Sequence, residues 1–155
     1  MSKRDTHADA AFGYLFLLAQ RWQTLGDQFL AQWDLTTKQW LLLATLELQF
    51  DRSASLGEAA TAYGSSHQNI KRMARNLEKA GFLRLFKDPR DQRVLRMEVT
   101  QKNHRFWETH QQATQNYINR LFAPLTDEDV RNLAGILRTL NDRVGELNNR
   151  EPGTS

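Results

Sequence analysis

The chain has 155 residues, with 21 Lys and Arg against 18 Asp and Glu, which is the length of one domain carrying a small positive charge. Hydrophobic residues make up 40% and charged residues 25%, with four Trp and eight Phe, enough for a packed core and against wholesale disorder. No cysteine is present, which excludes disulfides, thiolate zinc sites, iron–sulfur clusters and thiol redox switches.

Lys3 and Arg4, followed by a mostly apolar stretch over 10–19, outwardly match a signal peptide. Asp5 and Asp9 break the positive leader, however, and no small-residue cleavage site follows. The apolar run is also too short to span a bilayer. The expectation is a cytoplasmic chain without a membrane segment. Phe12, Leu15, Phe16, Ala19, Trp22, Phe29 and Trp33 recur every three or four positions for most of their length, predicting an amphipathic helix over about 8–33. Thr36-x-x-Gln39 is a capping box, with Leu35 and Trp40 spaced as a hydrophobic staple, and opens a second helix running to about Gln49. Ser55-x-x-Glu58 is a second capping box, starting a short helix that stops at Gly64. Ser66 starts a fourth helix, buried along Ile70, Met73, Ala74 and Leu77 and ended by Gly81. Two short helices joined at Gly64 read as a helix-turn-helix.

The period then changes. Leu83 and Leu85 alternate with Arg84 and Phe86, and Leu95, Met97 and Val99 with Arg96 and Glu98, so two strands flank the polar tip Asp88-Pro89-Arg90-Asp91-Gln92-Arg93. Asp91 is near enough in sequence to pair with Arg90 or Arg93 and steady that tip. Thr100 caps a long fifth helix through Phe106, Trp107, His110, Ala113, Tyr117, Ile118 and Leu121, which Pro124 breaks. Thr126, with Asp127, Glu128 and Asp129, opens a sixth. In it Val130, Leu133, Leu137, Leu140, Val144 and Leu147 step alternately by three and four, a heptad seam that calls for a partner helix. A flexible tail is expected over 149–155.

Between Ser66 and Arg96 nine bases stand against three acids, a net charge of +6, while the rest of the chain nets −3. That polarity suits a polyanion. With the apolar stripe of the fourth helix buried, Gln68, Lys71, Arg72, Arg75 and Lys79 face outward, where a helix-turn-helix presents its second helix to the major groove. Gln68 and Arg72 are able to pair with base edges in bidentate fashion, Lys71 and Lys79 suit phosphates, and Arg90 and Arg93 sit where a wing reaches a minor groove.

The runs LTTKQWLLLATL and SLGEAATAYGSSHQNIKRMARNLEKAGFL, then DPRDQR and the strand ending in Val99-Thr100, resemble the MarR family of bacterial winged-helix transcriptional regulators over nearly the whole chain. The LEKAGF step and the D-P-x-D-x-R tip carry the resemblance most specifically. It implies a mainly α fold with a small β-hairpin wing: a winged helix-turn-helix lobe over 34–100 and a helical dimerisation lobe from 8–33 and 101–148. It implies a homodimer on a pseudo-palindromic duplex operator, controlled by a small aromatic or anionic effector. By position, Ser66, His67, Gln68, Asn69, Lys71, Arg72 and Arg75 fall on the DNA-reading helix and Asp91 and Arg93 on the wing, while Phe12 and the heptad residues fall on the dimer seam. Trp22, Trp40, Trp107 and His110 are candidates for an effector pocket. One departure stands out: Leu85 occupies a position where the family usually has Arg, and the adjacent Arg84 points to the opposite face of its strand.

Other classes are weaker. The sequence has no Gly-rich phosphate loop and no H-E-x-x-H spacing, so neither an enzyme nor a bound cofactor is expected. His104 and Glu108, four apart, could form only a two-ligand metal edge, and a solvated polar face accounts for them better. An RNA- or protein-binding winged helix is the alternative. The outward face of the fourth helix lacks the aromatic residues RNA readers use, and its Lys content is unlike a protein-interface core.

Overall fold

The computed structural model describes residues 3–150. Its elements are α1 (Lys3–Leu30), α2 (Thr37–Gln49), β1 (Ala54–Ser55), α3 (Leu56–Tyr63), α4 (His67–Lys79), β2 (Leu83–Lys87), β3 (Leu95–Val99), α5 (Gln101–Thr109), α6 (Gln111–Phe122) and α7 (Asp127–Arg150). The chain divides into two compact units, one through Thr109 and one from His110. A small antiparallel sheet, ordered β1-β3-β2, carries the hairpin, so the architecture is mainly helical with a β wing.

Both capping boxes form as their sequences dictate. Thr36 accepts the Gln39 N–H while the Gln39 amide oxygen accepts from the Thr36 N–H, and Ser55 and Glu58 do the same at α3. Gly64 takes the left-handed conformation, at φ 72°, that closes α3 and turns the chain into α4. Ile70, Met73, Ala74 and Leu77 share one buried cluster with Leu42, Leu43 and Leu46 of α2, Ala59 and Ala60 of α3, Phe82 just before β2, and Leu83 and Met97 of the sheet. This core fixes which face of α4 looks outward.

Four features depart from the periodicity. The first helix ends at Leu30, and 31–33 form a 3₁₀ turn closed by Asp34 at φ 56°. A short strand, β1, lies where only polar loop and helix are expected, with Ala54 opposite Met97 and Ser55 opposite Arg96. The long fifth helix is two helices, broken at His110 (φ −102°, ψ 11°). The hydroxyls of Thr109 and Thr114 bond back to the carbonyls of Arg105 and His110, the four-residue return that bends helices, and they bracket the break. Helix α7 continues to Arg150, and the rest of the expected tail lies outside the described residues.

Two polar details secure the first unit. Asn103 of α5 is fully buried; its amide donates to Glu47 of α2 at 3.2 Å and accepts from the Trp107 indole at 3.0 Å. His104 also meets Glu47, at 3.1 Å. At the other end, α1 approaches the start of α2 so closely that a Cβ on Gly26 would lie 2.4 Å from the Thr37 hydroxyl oxygen. That hydroxyl donates to the Gln23 carbonyl, and the Thr37 N–H donates to Asp27 at 2.7 Å. Replacing a mid-helix glycine by alanine ordinarily stabilises by about 0.5–1 kcal/mol. Gly26→Ala is expected to do the reverse and destabilise by about 1–3 kcal/mol, because this helix pair has no room. Urea unfolding checks the sign, and adding Thr37→Ala should recover part of the loss.

Candidate nucleic-acid interface

Helix α4 is capped by Ser66, whose hydroxyl accepts the Asn69 N–H at 3.3 Å. Ser66, His67, Gln68, Lys71, Arg72, Arg75 and Lys79 are exposed, and Asn69 is half-buried. The Asn69 amide donates to the Ser65 hydroxyl at 2.8 Å, and its oxygen accepts from the Arg72 guanidinium at 2.9 Å. Arg72 is therefore aimed by a side chain one turn earlier, itself anchored to the turn between the helices.

His67, Lys71 and Arg75, at i, i+4 and i+8, line the side of α4 that turns toward the wing. Together with Lys87 and Arg93, and with the Ser55–Gly57 and Val94–Leu95 segments, they line an open cavity of about 500 Å³. No acid is among its lining residues. Four permanent cations around an acid-free cleft of this size match an oxyanion such as a backbone phosphate. Gln68, Arg72 and Lys79 are not part of that lining, so the exposed side chains of α4 fall into one group that lines the cavity and one that lies outside it.

The wing tip is organised around Asp88, which is 7% exposed. Its carboxylate accepts the N–H groups of Arg90 and Asp91, at 2.7 and 3.3 Å, and an ion pair from Arg96. The Arg96 guanidinium, with help from those two amides, holds the Asp88 carboxyl below the ordinary aspartate range. Asp91 is not the steadying ion-pair partner that its nearness to Arg90 and Arg93 suggests. It accepts the main-chain N–H of Arg93 at 3.0 Å, which leaves both arginine side chains exposed. Arg84 pairs with Glu98 directly across the hairpin at 2.5 Å and covers the Phe86 ring, so it does not reach the tip acids in place of the arginine missing at Leu85.

Behind the wing, Glu58 closes the α3 capping box and takes a salt bridge from Arg52 at 2.5 Å. The Arg52 hydrogen bond first, then the Ser55 N–H and hydroxyl, lower the Glu58 carboxyl from 4.5 to about 2. A depressed carboxyl contributes stability that is fully present above its unfolded pKa and lost as pH falls through its folded one. The melting temperatures of wild type and Glu58→Gln are therefore expected to converge as pH drops from about 4.5 to about 2; a gap that stays constant across that window would contradict the assignment.

The remaining sequence candidates are dispersed. Phe12, on α1, is 65% exposed. On α7, Val130 and Leu133 are half-buried, whereas Leu137, Leu140, Val144 and Leu147 are 39%, 45%, 55% and 45% exposed. Trp22, Trp107 and His110 are half-buried and Trp40 is exposed. Trp107 stacks edge-to-face with Trp33 and Phe106. His104 lies against Glu47, not Glu108. Among the described residues no three or more His, Asp or Glu side chains are grouped to hold a metal, and no helix is long and apolar enough to cross a membrane.

The same arrangement of helices and wing recurs in known structures. That of MarR covers 86% of this chain and 96% of its own, with a TM-score of 0.72 and 22% identity. The S. aureus MepR–DNA complex covers 86% of this chain and 97% of its own, with a TM-score of 0.69 and 20% identity. In sequence, the transcriptional repressor MprA of Escherichia coli (strain K12) is 31% identical over 107 residues, 69% of this chain. The chain has the winged-helix fold of the MarR structure. It spans 61% of the length of the MprA repressor, and no family model matches it. Arg96, Asp88 and Asn103 are the residues sequence reasoning missed. The strand register, which sets Arg96 opposite Phe86 and so next to the tip, was the available signal for the first pair.

Proposed function

We propose that this chain is a sequence-specific regulator of transcription that binds duplex DNA as a homodimer and responds to a small aromatic or anionic effector. The observation that carries the DNA reading is the acid-free cavity between α4 and the wing, lined by His67, Lys71, Arg75, Lys87 and Arg93, beside an outward row of Gln68 and Arg72. In this reading Lys71, Arg75, Lys79, Lys87 and Arg93 hold phosphates, Gln68 and Arg72 read bases in the major groove, and Arg90 enters the flanking minor groove. Ser66, His67 and Asn69 bring the start of α4 to the duplex, and Asp91 shapes the tip. The likeness to the MprA repressor and to MepR in complex with DNA supports it.

Dimerisation is supported by the apolar residues left uncovered on α1 and α7, with Phe12 on one and Leu137, Leu140, Val144 and Leu147 on the other. In the assembled dimer the 34–100 segment forms the DNA-reading lobe, and 8–33 with 101–148 the dimerisation lobe. Selection from random duplex DNA tests the whole reading. The expected product is an inverted repeat whose half-sites lie about one helical turn, ~10 base pairs, apart. Enrichment of no duplex, together with binding to single-stranded RNA, would replace it with the RNA alternative.

A further inference from the structure

We propose that Arg96 is the positioning residue of the wing: it ties the hairpin tip to the helix-turn-helix and so aims Arg90 and Arg93 at DNA without touching DNA itself. The inference rests on the DNA-binding reading and extends it to a residue outside the exposed basic face. Arg96 lies on β3, and its side chain is only 23% exposed. Its Nε donates to Asp88, the acid around which the tip turns. Its Nη1 donates to the Ser53 carbonyl at 2.9 Å, just ahead of β1, and lies 3.8 Å from the Glu58 carboxylate of the α3 capping box. One guanidinium thus spans the tip, the β1 approach and the start of α3. Only a planar fork makes several such contacts at once; a lysine ammonium in its place keeps the charge but loses the geometry.

The same Asp88 carboxylate that Arg96 grips also accepts the Arg90 and Asp91 amides. Loss of Arg96 therefore leaves a nearly buried carboxylate without its cation and frees the turn that sets the direction of Arg90 and Arg93. Arg96 consequently acts through those two side chains, and that dependence separates an aiming role from a general contribution to folding.

The test measures duplex affinity against salt for wild type, Arg96→Gln, Arg96→Lys and Arg90→Ala/Arg93→Ala, and for Arg96→Gln in that last background. Arg96→Gln is expected to lower the salt slope by about two units per half-site, one for each tip arginine no longer held against the duplex, with Arg96→Lys in between. In the Arg90→Ala/Arg93→Ala background Arg96→Gln should have no further effect. Amide exchange at Arg90 and Asp91 should quicken in Arg96→Gln while the amides of α4 keep their protection. An unchanged slope, a loss that persists without the tip arginines, or tip amides exchanging at the wild-type rate would each overturn the proposal. If Arg96→Gln fails to fold, the same comparisons are made with Arg96→Lys. Wild-type protein that binds no duplex at any salt would instead sink the DNA-binding reading, and the amide exchange would still decide whether Arg96 orders the tip.

Discussion

Replacing Leu137 and Leu140 together by aspartate is expected to convert the protein to folded monomers and to weaken operator binding by about 100-fold or more. Both residues sit in the three-four repeat of α7, and within one chain they are 39% and 45% exposed. Aspartate at such positions meets water in the monomer, so the single chain should tolerate it. In a helix seam between two chains the same carboxylates would be buried without partners, which costs far more than the association returns. The operator effect follows because two linked half-site contacts reinforce each other through effective concentration, and a monomer has only one. Light scattering reports the mass and circular dichroism the fold. A well-folded double variant that keeps the mass of a dimer would refute the seam.

The parts of the fold that could be read from the sequence are those set by local chemistry. Thr36 with Gln39 and Ser55 with Glu58 satisfy helix-end donors within four residues, and Gly64 supplies a left-handed turn, so these boundaries needed no tertiary information. The stripe from Ile70 to Leu77 fixed the outward face of α4 for the same reason. What was not legible depends on partners distant in sequence. Ser53 and Arg96 meet across 43 positions, Asn103 and Glu47 across 56, and neither pair shows a local pattern. The break at His110 escaped because its neighbourhood has neither proline nor glycine; threonine hydroxyls bent back on the helix compete without disturbing the apolar period. The apolar stripe of α1 was legible, but not how unevenly it is buried: Phe12 and Phe16 are exposed, and nearly full burial begins only at Gly26 and Leu30. The tip acid was misjudged because nearness in sequence favours Asp91, whereas the cross-strand register delivers Arg96 to Asp88.

Arg72→Ala is expected to cost about 1–3 kcal/mol on the preferred site and to relax base preference at one position in each half-site. The guanidinium is exposed on α4, and the side-chain amide oxygen of Asn69 accepts one of its N–H groups at 2.9 Å. Asn69 is in turn fixed to the Ser65 hydroxyl, so the chain from Ser65 through Asn69 to Arg72 presents the guanidinium in one orientation before DNA arrives. An arginine held this way gives up less side-chain freedom on binding, and its remaining N–H groups fit the two acceptors of a guanine edge. Asn69→Ala should therefore reduce discrimination at the same base position, by less than Arg72→Ala, because the arginine remains but is no longer aimed. Lys79→Ala, at the far end of the helix, should weaken binding about equally on every sequence and lower the salt slope by about one unit. Competition binding on the selected site and on random duplex separates these outcomes. Equal losses on both duplexes for Arg72→Ala would make it a phosphate contact, and an Asn69→Ala protein with wild-type discrimination would show that the hydrogen bond between them plays no part in readout.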